Sequence, residues 1–116
     1  MVQKQNIIIN KTFNFSKEIV NLYIQLKNEN IYELASQLFR SGTSIGANVE
    51  EAQAAQSKKD FIAKMSISAK EARETRYWLK LIDETHITKI DVKSSLVEIN
   101  EIINILTKII KSSSGK

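Results

Sequence analysis

Cysteine and proline are absent from the 116 residues, and glycine occurs only three times. Without cysteine there is no disulfide, no thiol nucleophile and no cysteine-based zinc site, which suits a reducing compartment. Without proline, and with so little glycine, the chain lacks the residues on which tight turns draw, which argues against a fold of many short strands. Long helices joined by few connections are the alternative. Histidine occurs once, at His86, so no histidine cluster exists to hold a metal. Apolar runs are short as well. None approaches the ~18 residues of a membrane span, and the opening MVQKQNIIINKT has three consecutive apolar residues, fewer than a signal-peptide core needs. The expectation is a cytoplasmic protein with no membrane association, no metal and no cofactor.

What is present is a helical pattern. Hydrophobic residues make up 42% and charged residues 26%, ordinary for a soluble domain with one core. Phe15, Ile19, Leu22 and Leu26 share one arc at 100° per residue and predict a first helix over 14–27. Asn28-Glu29-Asn30 reads as a polar loop. A second helix is predicted over 31–54, with Leu34, Leu38, Ile45, Val49 and Ala52 on its apolar stripe. Gly42 interrupts it at a cost of roughly 1 kcal/mol against alanine, with a bend there as the expected consequence.

Ser57 followed by Asp60 is close to a capping box and opens a third helix ending near Thr85, with Phe61, Met65, Ala69, Ala72 and Leu79 inward. Thr88-Lys89-Ile90-Asp91 repeats the cap pattern before a fourth helix, in which Val92, Leu96, Ile99, Ile103, Leu106 and Ile110 alternate by four and three. The predicted fold is all-α, an antiparallel up-and-down four-helix bundle over 13–111, with a flexible segment at 1–12 and a disordered tail at 112–116.

Some apolar residues exceed what one stripe per helix requires: Val20 and Ile24 on the first helix, Ala63, Ile67, Trp78 and Leu81 on the third, and Ile102, Ile105 and Ile109 on the fourth. Two explanations stay open, self-association through exposed apolar faces or a core wide enough to take them in.

The formal charge of +4 is uneven. Between Ser57 and Lys80 stand seven basic and three acidic residues, while the rest of the chain has ten of each. Lys59, Lys70, Arg73 and Lys80 share one helical arc with Ser66 and Tyr77. From Lys59 to Lys80 is about 32 Å at 1.5 Å per residue, close to one turn of duplex, so Lys59, Lys70, Arg73, Tyr77 and Lys80 are the candidate nucleic-acid contacts. Lys93 and Lys111 on the fourth helix fall outside that arc. The simpler assignment is a solvated outer face.

Catalytic residues are not expected. Glu71 and Glu74 stand one turn apart and have the spacing for acid–base work, but pairing with a nearby arginine accounts for them more simply. Ser41-Gly42-Thr43-Ser44-Ile45-Gly46 has too few glycines, and no lysine, for a phosphate-binding loop.

The run Arg40-Ser41-Gly42-Thr43-Ser44-Ile45-Gly46-Ala47-Asn48-Val49-Glu50-Glu51-Ala52, followed by Ser57-Lys58-Lys59-Asp60-Phe61, Lys70-Glu71-Ala72, Glu74-Thr75 and Tyr77-Trp78-Leu79, resembles the four-helix-bundle proteins encoded in intervening sequences of bacterial 23S ribosomal RNA genes and their stand-alone chromosomal relatives. The match is strongest over 40–82 and looser over 13–110. It implies a four-helix bundle assembled as a homopentameric ring, and it does not imply an enzyme. A similar fold and ring occur in the accessory protein of diversity-generating retroelements, a basic toroid that works with nucleic acid and a reverse transcriptase; the analogy is one of fold. Within the signature, Arg40, Ser44, Ala47 and Glu51 lie opposite the core stripe, within about 60° of one another at 100° per residue. Together with Asn48, Glu71, Glu74 and Trp78 they are the candidate interface residues. Two functional readings follow: an oligomeric adaptor that binds DNA or RNA, or an oligomeric scaffold that recognises a partner protein.

Overall fold

The structure, a computed structural model, describes residues 2–115, and in them all regular secondary structure is helical. Helices α1 (Val2–Asn28), α2 (Tyr32–Ala52), α3 (Lys58–Thr85) and α4 (Lys93–Ser113) pack each against the next, with α4 closing back on α1. The result is the expected antiparallel bundle, a rod of 45 × 20 × 19 Å.

The ends of the helices follow from local chemistry. Asn30, at φ 65°, stops α1: its N–H donates to the Lys27 carbonyl at 2.9 Å, and the Ile31 N–H donates to that of Leu26 at 3.0 Å. This paired arrangement satisfies carbonyls that a helix end leaves free, and asparagine tolerates the left-handed backbone it needs. Ser57 caps α3 by accepting the Asp60 N–H at 3.0 Å, while Asp60 accepts the Gln56 N–H at 3.3 Å. His86, at φ 53° in the left-handed region, ends α3, so the only histidine occupies a helix terminus. The second cap works differently from expectation. Thr88 accepts the Ile90 N–H at 3.1 Å and Asp91 that of Lys93 at 2.9 Å, so both shape the connection and α4 starts at Lys93. The Thr88 hydroxyl also donates to Glu29 at 2.8 Å, tying the two turns at that end of the rod together.

Helix α1 corrects the flexible segment predicted for 1–12. It is helical from Val2, and Ile8 and Thr12 are buried. The stripe Ile8, Thr12, Phe15, Ile19, Leu22, Leu26 runs by fours and threes without a break. Thr12 enters it because its hydroxyl donates to the Ile8 carbonyl at 2.8 Å, which removes most of the cost of burying it. At the other end α4 continues through Ser113 with a turn after it, not a disordered tail from Ser112. Met1 and Lys116, which belonged to those two segments, lie outside the described residues.

Most of the predicted core is buried, although Leu34, Phe61, Leu96 and Ile110 are only half-buried at its edge. The seams of α2 and α3 are made largely of small residues: Ala35, Ser41, Gly42 and Ala52 on one, Ser68, Ala69, Ala72 and Thr75 on the other. Ser68 donates to the Ile45 carbonyl at 2.8 Å. Thr75 shares its proton between Ser41 Oγ, 2.9 Å away, and the Glu71 carbonyl at 2.8 Å. Gly42 continues the helix because α1 crosses α2 there: a Cβ on Gly42 would stand 2.8 Å from Ile19 Cγ1.

Of the surplus apolar residues, Ile102 and Ile109 belong to the bundle's own core and Ile105 packs on it, as the wide-core explanation has it. Trp78 and Leu81 are half-buried. Val20, Ile24, Ala63 and Ile67 remain exposed.

Candidate functional site

The signature residues divide between two sides of α2. On the side toward α3, Arg40 forms an ion pair with Glu74 and lies 3.6 Å from Glu71. Glu74 also accepts the Trp78 indole N–H at 3.0 Å. Arg40, Glu71, Glu74 and Trp78 are thus one cluster, two carboxylates sharing one guanidinium. Glu71 Oε1 is buried and makes no hydrogen bond, so Arg40 is the counter-ion that compensates it. Farther along, Glu51 pairs with Lys64 at 3.0 Å. Ser44 and Asn48 donate to the carbonyls four residues back, of Arg40 at 2.6 Å and Ser44 at 2.8 Å, and so turn their polar groups onto their own helix.

On the side toward α1 the floor is small. Ser16, Thr43, Gly46 and Ala47 line an open groove with Ile9, Phe13 and Glu50, and Phe13 is 63% exposed beside it. Gly46 allows this approach: a Cβ there would stand 3.2 Å from the Thr12 carbonyl oxygen. Ala47 therefore sits apart from the Arg40 cluster.

The basic residues of α3 are placed as their periodicity requires. Lys59, Lys70, Arg73 and Lys80 are all exposed on the outer face, and among the described residues no carboxylate pairs with any of them. Tyr77 lies among them, 59% exposed, with its ring edge-on to Trp78 at 5.1 Å. Glu84 also falls on this arc, one turn beyond Lys80, and the cationic stretch ends there.

One neighbour was out of reach of the helical wheel. Lys111 of α4 shares an open groove with Arg73, lined otherwise by Ala69, Thr107, Ile110 and Ser114. A wheel orders residues within one helix and says nothing about what faces them across a seam, which is why Lys111 falls outside the α3 arc although it borders Arg73. Lys93 does stand apart, paired with Asp83 at 3.0 Å.

Elsewhere the charges are mixed. Lys11 of α1 bridges Glu98 and Glu101 of α4 at 3.0 and 2.8 Å. The hydrogen bond to Glu101, helped by Glu98 and opposed by partial burial, holds the Lys11 ammonium above its usual range. Burial and the nearby Glu98 push the Glu18 carboxyl up, with Lys11 acting against them. No group of three or more histidine, acidic or cysteine side chains with metal-binding geometry occurs among the described residues. No helix in them is long and apolar enough to cross a membrane.

Fold and signature together define an antiparallel four-helix bundle whose second and third helices are bridged by a charge cluster at their edge. The model of the 23S rRNA-intervening sequence protein family matches residues 4–108, and the chain belongs to that family. A solved structure from Bacteroides thetaiotaomicron, described as a protein of unknown function from the S23 ribosomal protein family, is similar to it at 46% identity and a TM-score of 0.88. That match covers 93% of this chain and 98% of the other. Among the curated proteins no match was found.

Proposed function

We propose that the chain is a non-enzymatic, self-assembling adaptor that holds nucleic acid on the outer face of α3. One contrast carries this reading. Lys11, Arg40, Lys64 and Lys93 each meet a carboxylate; of the exposed cations that meet none among the described residues, Lys59, Lys70, Arg73 and Lys80 are set apart by standing together on one face of α3. Aligned free cations along a rod suit a phosphate backbone, and symmetry-related copies sum their fields.

Self-assembly, as a homopentamer by the family resemblance, is supported by the apolar side chains left in water. Phe13, Val20 and Ile24 of α1 and Phe39 of α2 are exposed along one side, and Ile67 of α3 on another. The same exposed residues favour the second reading, a scaffold that recognises a partner protein.

Binding to labelled RNA and DNA at low salt, read by fluorescence anisotropy, tests the proposal. Replacing Lys70 and Arg73 together by glutamate is expected to abolish binding and leave helicity and assembly mass unchanged, while Lys93→Glu does much less. No binding by the unaltered protein at low salt overturns the adaptor reading and leaves the scaffold.

A further inference from the structure

The groove between α3 and α4 adds to the basic face something that a row of surface lysines lacks. Its rims carry Arg73 from α3 and Lys111 from α4, and its floor is apolar, from Ala69 and Ile110. Among the described residues no carboxylate lines it. Two hydroxyls do, but both are already engaged: Thr107 donates to the Ile103 carbonyl at 2.7 Å and Ser114 to that of Ile110 at 2.9 Å. Their protons are spent within α4, so the anion-binding groups of the groove are the two cations. One turn along α3 from Arg73, the Tyr77 ring is exposed and steadied edge-on by Trp78.

From this arrangement we infer that the nucleic acid held by this protein is single-stranded, its backbone leaving the α3 face to cross the α3–α4 groove between Arg73 and Lys111. The inference rests on the nucleic-acid reading above and narrows it. A duplex offers a cationic rod its phosphates and little else, because its bases are paired and stacked inside. A single strand offers phosphates together with unstacked bases and sugars. The apolar floor and the exposed Tyr77 ring gain contacts from those, and base stacking on an aromatic ring contributes to single-strand binding irrespective of sequence. The charge of the groove agrees: one cation on each rim suits one backbone, where a duplex would present two.

The competing occupant is a protein segment with acidic side chains, which the same cations would attract. Nucleic acid is favoured because the groove is continuous with the aligned cations of α3 through Arg73, which belongs to both.

The test compares an unstructured RNA of about 20 nucleotides with the duplex it forms with its complement, in anisotropy titrations at low salt. The single strand is expected to bind at least about tenfold more tightly. Lys111→Glu should weaken single-strand binding as much as Arg73→Glu does, and Tyr77→Ala should weaken it about tenfold while leaving duplex binding unchanged. Lys93→Glu serves as the control, being on the same helix but paired with Asp83. All four positions are outside the buried core, and circular dichroism of each variant checks that the bundle persists. Equal binding of single strand and duplex, or a Lys111→Glu loss no larger than that of Lys93→Glu, overturns the groove inference and leaves the adaptor standing. Absence of binding to either RNA overturns both.

Discussion

Gly42 faces Ile19 where α1 and α2 are closest, and the space for a methyl group is already filled. The nearest atoms are on the branch of a fully buried isoleucine, which cannot swing away. Gly42→Ala gains about 1 kcal/mol of helix propensity but overpacks a tight core, which costs typically 1–3 kcal/mol. The expected outcome is a net loss of about 1 kcal/mol in urea unfolding, and an increase in stability would show that the crossing is looser. At Glu18 the consequence is electrostatic. Its carboxyl is pushed up from an ordinary value of 4.5 by burial and by Glu98, so the folded protein holds that proton more tightly than the unfolded chain. Ionised Glu18 therefore costs stability above the folded value, and the cost disappears as pH falls below 4.5. Glu18→Gln is expected to raise the urea midpoint slightly at neutral pH and to leave it unchanged at low pH. A midpoint lowered at neutral pH would reverse the sign. Polar residues were the ones the sequence hid. Thr12, Ser41, Ser68 and Thr75 are in the core because each finds a carbonyl or hydroxyl partner or a close helix crossing, and a hydropathy pattern counts them as outward.

At the scale of helices, apolar periodicity located α2 and α3 within two residues at each end, since Asn30 and Ser57 mark real boundaries. It missed the first twelve residues of α1 for two reasons. Ile7, Ile8 and Ile9 in succession show no period, and Thr12 stands where the next apolar residue would be. In α4 the band is broad because Ile99, Ile102, Ile103, Leu106 and Ile109 are all buried, so the residues that looked surplus complete the bundle. Ile103 is buried among them, and Ile103→Asp would place a carboxylate there with no partner, at a cost of several kcal/mol. Loss of the helical circular dichroism signal is expected; a fully helical mutant would mean that Ile103 faces solvent. The Arg40 cluster was legible only in part. The sequence pattern picks out its members and pairs Glu71 and Glu74 with a nearby arginine, but which arginine they meet depends on the register of α2 against α3. That register is marked by the Ser41–Thr75 contact and Ser68 on the Ile45 carbonyl, neither of which shows in one helix read alone.

For the whole molecule, the same rod carries apolar residues in water along α1 and α2 and free cations along α3. Light scattering after size exclusion is expected to give five times the chain mass of 13.2 kDa, and a monomer at micromolar concentration would remove the summed field on which strong binding depends. A ring would multiply the cationic face without adding new chemistry, so the adaptor reading stands or falls on electrostatics. The most direct measurement is the dissociation constant for single-stranded RNA over a series of salt concentrations. If about four cations per chain neutralise phosphates, the logarithm of affinity falls against the logarithm of salt with a slope of about −3. Reversing Lys70 and Arg73 should flatten that slope. An affinity that does not change with salt would contradict the account.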